Sequence, residues 1–157
     1  MSDSSDRLKG AVFGSFIGDA LTLPAHWIYN PRKIERTYQR ITDYLDPASN
    51  QYHAERHAGD QSHYGDQALV LMRSLEPGQG FSLPAFAQRW QAMWSHYDGY
   101  IDGATRDTLT ALESGKAPSE AASSSNDIAG ASRMAPLVVA LAGQEEDALV
   151  QAAAQTV

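Results

Sequence analysis

Two aspartates occupy positions where a carboxylate could do chemistry. Asp19 lies inside an otherwise apolar stretch, where a carboxylate is costly to bury unless it is paired or bound to a cation. Asp66, the third residue of a Tyr-Gly-Asp-Gln segment, precedes an apolar pattern with helical spacing. Asp66 is therefore either a helix N-cap or a ligand for a hard cation such as Mg²⁺, Ca²⁺ or Mn²⁺, which prefer oxygen ligands.

A polar segment ahead of Asp66 contains three histidines. His53 and His57 are four residues apart, so on a helix they would share one face and, with His63, could bind a transition metal. Glu55 lies between the first two, an arrangement that differs from the His-Glu-x-x-His zinc motif. The alternative is a solvated polar loop, and we favour it because the spacing alone indicates little.

Two further polar segments, residues 102–105 and 123–127, precede helical patterns. The first turn of a helix presents free backbone N–H groups, which bind phosphate well, although ordinary capping explains either segment alone. Because Asp66 marks a third polar helix entrance, we expect several loops to converge on one pocket. Arg133 is interpreted either as a phosphate contact or as the buried partner of Asp19 or Asp66, and we favour the pairing.

The composition predicts that helices position these side chains. The chain has 24 alanines but only six valines and six isoleucines, and no segment alternates apolar and polar residues over the length of a strand. An all-α fold follows.

Helices are predicted at residues 5–23, 31–39, 66–76, 83–97, 103–114 and 128–141, and from residues 144–147 onward, with a turn at 77–80 and a long loop at 41–63. Asn30 and Ser82 are the predicted caps of the second and fourth helices, and either Asp102 or Gly103 is predicted to open the fifth. Gly10, Gly14 and Gly18 form a stripe on the first helix, which predicts the close approach of a neighbouring backbone.

The overall charge and composition exclude several classes of protein. The net charge of −7 argues against a nucleic-acid-binding or anionic-membrane-binding surface, both of which are basic. The absence of cysteine excludes a disulfide framework and a thiol nucleophile. No apolar run reaches the length of a membrane span, and the polar N-terminus does not resemble a signal peptide. We therefore expect a cytoplasmic protein.

Three segments resemble motifs of a known family. Residues 10–27, GAVFGSFIGDALTLPAHW, resemble the opening helix of the ADP-ribosylglycohydrolase family, which includes the dinitrogenase-reductase-activating glycohydrolases and the J1 crystallins. Residues 65–71, GDQALVL, resemble the segment that carries the family's Thr-Asp-Asp-Thr motif, and residues 131–137, ASRMAPL, resemble its Met-Arg-x-x-Pro-Leu segment. The resemblance covers most of this chain but only the N-terminal half of a typical member.

The resemblance implies a fold and an activity. Members are all-α, so we expect an orthogonal multi-helix bundle of the ADP-ribosylglycohydrolase type. Active members cleave the N-glycosidic bond that joins ADP-ribose to a protein side chain or a related group, at a dinuclear Mg²⁺ or Mn²⁺ centre. Metal-bound oxygens can orient the ribose and a water, and carboxylates stabilise positive charge on the sugar as the bond breaks.

The residue-by-residue match is divergent. Asp66 falls on the second aspartate of the metal motif, whereas Gly65 replaces the first, and Tyr64 and Gln67 replace the threonines. His26 replaces the acidic residue that follows the first helix, and Thr22 replaces a glycine. The second set of metal ligands, an Asp-x-Asp-Thr segment, belongs to the C-terminal part of the family.

The main hypothesis is a divergent hydrolase of ADP-ribosyl bonds. Asp66 would hold a single Mg²⁺ (or Mn²⁺) or orient water, and His26 would carry a proton. The predicted catalytic residues are Asp19, His26 and Asp66, the metal ligand is Asp66, and the predicted substrate-binding residues are Gly103, Thr105, Ser125, Asn126 and Asp127. The alternative is an inactive member that binds ADP-ribose or another nucleotide, or that is purely structural. A third possibility is a different hydrolase, with a transition metal held by His53, His57 and His63.

The resemblance also predicts organisation and partners. Residues 1–157 would form the N-terminal part of a single domain, because the last helical pattern stops without an end signal and the later motifs are absent. The expected partner is an ADP-ribosylated protein or a small molecule containing ADP-ribose, with no nucleic acid or membrane. A half-domain would expose apolar helix faces, so a homo-oligomer is an additional expectation.

Overall fold

A computed structural model describes residues 2–49, 51–75 and 80–156. Within these ranges the chain is all-α and has no β-strand, as predicted. The α-helices are α1 (Ser2–Thr22), α2 (Pro31–Tyr38), α3 (His63–Ser74), α4 (Leu83–Trp94), α5 (Gly103–Glu113), α6 (Ala135–Ala140) and α7 (Glu146–Thr156). Short 3₁₀ helices lie at Leu23–Ala25, Pro118–Glu120 and Ile128–Arg133. No helix in the described part of the chain has both the length and the apolar character needed to cross a bilayer.

Local capping explains where most of these helices begin. Oδ1 of Asn30 accepts hydrogen bonds from the backbone N–H groups of Arg32 and Lys33, ahead of a proline at the first position of α2. Ser82 caps α4 and Asp102 caps α5 in the same way. The caps predicted at Asn30 and Ser82 are confirmed, and of the two residues predicted to open α5, Asp102 is the cap. Each of these caps bonds to residues next to it in the chain.

The start of α3 was predicted incorrectly. The helix begins at His63, not Asp66, because Ser62 has an extended backbone and its Oγ accepts the N–H of Tyr64. Asp66 therefore lies within the first turn and is not the N-cap. The predicted end of this helix at Glu76 and the turn at residues 77–79 lie outside the described residues.

The single helix predicted at residues 128–141 is divided in two. A 3₁₀ helix, Ile128–Arg133, precedes α6, which begins at Ala135. Pro136 explains the break. A proline lacks the N–H needed to continue the preceding 3₁₀ helix, and its ring clashes with the carbonyl four residues earlier. Arg133 consequently lies at the end of a short 3₁₀ helix rather than inside an α-helix.

The core is built on the contact between α3 and α4, with α6 beside them. Its buried members are Leu71, Phe86, Trp90, Trp94, Leu137 and Leu141. Helix α1 packs against α6 and α3. Its glycine stripe does not mediate that contact: a Cβ atom added at Gly10, Gly14 or Gly18 would meet no described atom within 4 Å. The predicted close backbone approach is therefore wrong for the described part of the chain.

Candidate functional site

A cavity of about 300 Å³ lies where α3, α4 and α5 meet the segment that leads into α6. Its lining includes apolar and polar side chains, here called the apolar wall and the polar wall. The apolar wall includes Leu83, Phe86, Trp90, Leu112 and Ala121. The polar wall includes Tyr64, Gln67, Asp102, Thr105, Ser125, Asp127 and Arg133. An apolar enclosure with a few convergent polar groups is typical of a small-molecule site.

Arg133 provides the positive charge of this cavity. Its Nη1 donates to Oε1 of Gln67, which also accepts from Nε1 of Trp90 at 2.9 Å. The guanidinium lies 5.9 Å from the centre of the Phe86 ring. Burial lowers the pKa of Arg133 to about 10, so the side chain remains a cation at neutral pH. Its Nε is buried and has no hydrogen-bond acceptor among the described residues. Nη2 is not buried and has no acceptor among the same residues, so Arg133 retains capacity to bind an anion.

Asp102 lies on the polar wall, but its carboxylate is fully engaged. Oδ1 accepts the N–H of Thr105 at 2.7 Å, and Oδ2 accepts its hydroxyl at 3.2 Å. Nε2 of the buried His63 lies 3.0 Å from Oδ2. Burial raises the pKa of Asp102, but the His63 and Thr105 contacts outweigh it and the net shift is downward. Asp102 thus fixes the entrance of α5 to the cavity.

The loop at residues 123–127 forms a second rim of the cavity. Successive side chains accept backbone N–H groups: Ser123 Oγ from Ser125 at 3.3 Å, Ser125 Oγ from Asp127 at 3.1 Å, and Asp127 Oδ1 from Ala129 at 3.0 Å. These bonds hold the loop against the 3₁₀ helix Ile128–Arg133. Both Ser125 and Asp127 line the cavity, as does Thr105 from α5. Among the described lining residues, Gly103 and Asn126 are absent, although each is next to a lining residue.

Asp19 does not face this cavity. Its Oδ1 accepts the hydroxyl of Ser62 at 2.6 Å and its Oδ2 accepts the Ser62 N–H at 2.7 Å. Burial raises the pKa of Asp19, more than these two bonds lower it. Asp19 therefore anchors the N-cap of α3 to α1, which is a positioning role.

Asp66 lines a separate shallow groove with Arg56, Arg73, Met93 and Tyr97. Its Oδ2 accepts from Nη2 of Arg56 at 3.0 Å and from the hydroxyl of Tyr97 at 2.7 Å. The predicted partnership of Arg133 with Asp19 or Asp66 is therefore wrong. Arg133 contacts Gln67 instead. Asp19 is bound by Ser62, and Asp66 is bound by Arg56. Sequence reasoning did not single out Arg56, and no spacing rule marks an arginine in an irregular loop.

His26 belongs to a cluster of imidazole rings with His53 and His63, here called the histidine cluster. Ring centroids are 4.7 Å apart for His26 and His53, 5.3 Å for His53 and His63, and 5.8 Å for His26 and His63. Tyr64 joins this cluster to the cavity, with its ring 3.9 Å from that of His63. Burial lowers the pKa of His26 to about 4 and that of His53 to about 3, assisted by the neighbouring imidazoles.

The structure contradicts both interpretations of the loop histidines. His53 and His63 are buried, so they do not belong to a solvated loop. The side chain of His57 is 83% exposed and lies apart, 3.9 Å from Asp46. In residues 2–49, 51–75 and 80–156, no three His, Asp or Glu side chains are arranged to hold a metal ion. His53, His57 and His63 therefore do not form a transition-metal site.

The residues present do not fit the dinuclear Mg²⁺ or Mn²⁺ centre that the resemblance implies. Within the described chain, Asp66 is the one carboxylate at the expected motif, and an arginine and a tyrosine already bind one of its oxygens. Position 65 has no side chain. A Cβ atom there would collide with Oδ2 of Asp19 and with Gln61, whose Cβ would be 2.9 Å away.

Comparisons with known proteins identify the family. The chain is 30% identical to crystallin J1A of Tripedalia cystophora over 112 residues, which is 68% of this chain and 33% of that protein. It is 29% identical to crystallin J1B of the same organism over 108 residues, 66% of this chain and 33% of that protein. The match thus spans about a third of each crystallin. No solved structure matched the chain. The ADP-ribosylglycohydrolase family model matches residues 1–157, so the chain belongs to the ADP-ribosylglycohydrolase family.

Proposed function

We propose that this chain binds a phosphate-bearing nucleotide ligand of the ADP-ribose class in the cavity and that its described residues do not cleave it. The observation that carries the proposal is Arg133, a half-buried guanidinium on the cavity wall whose one hydrogen bond among the described residues comes from Nη1. Its Nη2 is not buried and has no acceptor there, so it can donate to an anion in the cavity. The ligand would belong to the class that the family implies, and its N-glycosidic bond would remain intact.

Phosphate recognition would use Arg133 and the first turn of α5 together. Gln67 holds the guanidinium in place, which reduces the side-chain entropy lost when an anion binds. Ala104 and Thr105 place the positive end of the α5 dipole at the same cavity. Asp102 satisfies the amide of Thr105, so the anion would contact the earlier amides of that turn.

The apolar wall suits a flat or weakly polar group. Phe86 and Trp90 present aromatic surface to the cavity, with aliphatic side chains beside them. A volume of about 300 Å³ is at the lower end of the range for small-molecule sites. The cavity would therefore enclose one nucleotide portion of the ligand, with its phosphate at Arg133.

The predicted catalytic aspartates are not placed for cleavage in the cavity. Glycosidic bond cleavage needs carboxylates or metal-bound oxygens next to the sugar, but Asp66 and Asp19 are bound by other side chains away from the cavity. The carboxylates that do line it, Asp102 and Asp127, cap helices by accepting backbone N–H groups. His26, the predicted proton carrier, is not among the described residues that line the cavity. Hydrolysis of an ADP-ribosyl bond is the competing function, and the family membership favours it.

Titration calorimetry with ADP-ribose tests the binding proposal. The wild-type protein should bind ADP-ribose and ADP, and should bind adenosine at least about tenfold more weakly because adenosine lacks the phosphate. Arg133→Gln should weaken ADP-ribose binding by about ten- to a hundredfold. Arg106→Gln is the matched control: Arg106 is an exposed arginine on α5, and its loss should change the affinity by less than about twofold. Equal affinity for ADP and adenosine, or no binding heat for either, would refute the proposal.

An activity assay separates binding from hydrolysis. The protein is incubated with an ADP-ribosylated arginine protein and Mg²⁺, and released ADP-ribose is measured. We expect no release above that of the protein-free control. Turnover by the wild type that is lost on Asp66→Ala would establish the competing hydrolase function instead.

A further inference from the structure

The groove at Asp66 contains a fixed positive charge. Arg56 lies in the irregular segment ahead of α3, and its Nη2 is 3.0 Å from Oδ2 of Asp66. The hydroxyl of Tyr97 donates to the same oxygen at 2.7 Å, and the guanidinium lies 5.0 Å from the centre of the Tyr97 ring. One carboxylate oxygen therefore already accepts from a cation and from a hydroxyl group, on the side of Asp66 that a metal ion would need.

The surroundings of Arg56 fit its guanidinium closely. Only 16% of its side chain is exposed, and further carboxylates lie at 3.9 Å (Asp98) and 4.0 Å (Glu55). Gly99 leaves room for it, because a Cβ atom at that position would lie 2.5 Å from Nη2 of Arg56. Burial lowers the pKa of Arg56, but Tyr97 and Asp66 together raise it overall, which keeps the guanidinium charged.

The space beside Asp66 along the chain is also filled. Asp19 and Gln61 lie so close to Gly65 that any side chain there would displace them. Both are held in place: Asp19 by Ser62, and Gln61 by a hydrogen bond from its Nε2 to the carbonyl of Phe16 at 3.2 Å. A second carboxylate cannot enter at position 65 without rearranging the contact between α1 and α3.

We infer that Arg56 is a resident cation that takes the place of a divalent metal at Asp66, so that this groove is charge-compensated without a metal ion. A divalent cation would have to displace a guanidinium that is bound on several sides. The groove is separate from the cavity, so this inference does not depend on ligand binding there. It predicts that the fold is insensitive to Mg²⁺ and Mn²⁺ and that removal of Arg56 lets Mn²⁺ bind at Asp66 more tightly than it does in the wild type.

The test compares thermal unfolding and Mn²⁺ binding, the latter followed by electron paramagnetic resonance, in matched variants. The Tm of the wild type should be the same in EDTA and in millimolar Mn²⁺. Arg56→Met should lower the Tm in EDTA, regain part of it in Mn²⁺, and bind Mn²⁺ at least about tenfold more tightly than the wild type. The double variant, Arg56→Met with Asp66→Asn, should bind Mn²⁺ no more tightly than the wild type and should regain no Tm in Mn²⁺. Arg73→Met, which removes an exposed arginine from the same groove, should behave like the wild type.

Two outcomes would overturn the inference. The first is Mn²⁺ binding by the wild type that disappears in Asp66→Asn. The second is an Arg56→Met variant that folds but gains no Mn²⁺ affinity. If Arg56→Met does not fold, Arg56→Lys decides: it keeps the charge, so it should fold and remain insensitive to Mn²⁺, and a metal-dependent Tm in this variant would contradict the inference. Failure of ADP-ribose binding would leave all these metal results unchanged.

Discussion

Two arginines distinguish the cavity from the groove. Arg133 in the cavity makes its one hydrogen bond among the described residues to the neutral amide of Gln67, whereas Arg56 in the groove binds the carboxylate of Asp66 and has two further acids nearby. The Nε of each guanidinium is buried without a hydrogen-bond acceptor in the described part of the chain, so the arginines differ in the charge of their partners. The charge of Arg56 is compensated by carboxylates, whereas Arg133 meets a neutral amide, and a cation without a carboxylate partner is the better candidate for an anion site.

The largest predicted effect is a loss of stability in acid through the histidine cluster. The pKa values of His26 and His53 in the folded protein, about 4 and about 3, lie below the ordinary value of 6.5. The unfolded chain therefore binds more protons than the folded chain between pH 6.5 and 4, and stability falls as the pH falls through that window. Near pH 5 the free energy of unfolding should change with pH at a slope that corresponds to almost two protons, which is the contribution of this pair.

Urea unfolding at several pH values measures this slope. The raised pKa values of Asp19 and Asp66 act in the opposite direction, so the contribution of the histidines is best obtained from a variant. His53→Phe should reduce the slope by about one proton and leave the stability at pH 7 equal or higher, because it removes two buried nitrogens without partners. His57→Gln, at an exposed position, is the control. An unchanged slope in His53→Phe would refute the assignment.

The second prediction compares the two arginines directly. Arg56→Met should lower the free energy of unfolding by about 2–3 kcal/mol, because it leaves the Asp66 carboxylate with one donor in a partly buried groove. Arg133→Met should cost about 1 kcal/mol or less, since Gln67 keeps its hydrogen bond from Trp90. Urea denaturation at pH 7 measures both. Equal losses in the free energy of unfolding would mean that the neighbours of Arg133 bind it as strongly as those of Arg56 do.

The third prediction concerns the packing beside the groove. Gly65→Ala should lower the free energy of unfolding by about 1–3 kcal/mol, because the added methyl group meets Asp19 and Gln61. Gly14→Ala on α1 is the matched control, where a Cβ atom meets nothing within 4 Å and removal of a helical glycine should stabilise by about 0.5–1 kcal/mol. The two substitutions should thus have opposite signs in urea denaturation, and a stabilising Gly65→Ala would show that the space at position 65 is open.

Local signals were readable from the sequence, and long-range partners were not. The sequence predicts the caps Asn30 and Ser82, and the start of α5 to within one residue, because a cap bonds to residues two or three positions away. Ser62 and Asp66 are both good capping residues, and the choice between them depends on Asp19, which is 43 positions away in the chain. The bond between Arg133 and Gln67 spans 66 positions, and the burial of His53 likewise depends on tertiary packing. The family was recognisable because its motifs are themselves local, whereas the partners that now engage the motif residues are not.

The smallest predicted effect distinguishes the two rims of the cavity. Asp102→Ala should cost about 1–2 kcal/mol, because Asp102 caps α5 and is also the acidic partner of the buried His63, with only 15% of its side chain exposed. Asp127→Ala should cost about 0.5 kcal/mol, since Asp127 caps a short 3₁₀ helix from an exposed position. Asp102→Asn should fall between them, because the amide oxygen still accepts the Thr105 N–H but loses its charge opposite His63. Denaturation midpoints at pH 7 rank the three variants. Equal costs for Asp127→Ala and Asp102→Ala would contradict this ranking, because they would mean that the loop at residues 123–127 is held as firmly as the entrance of α5.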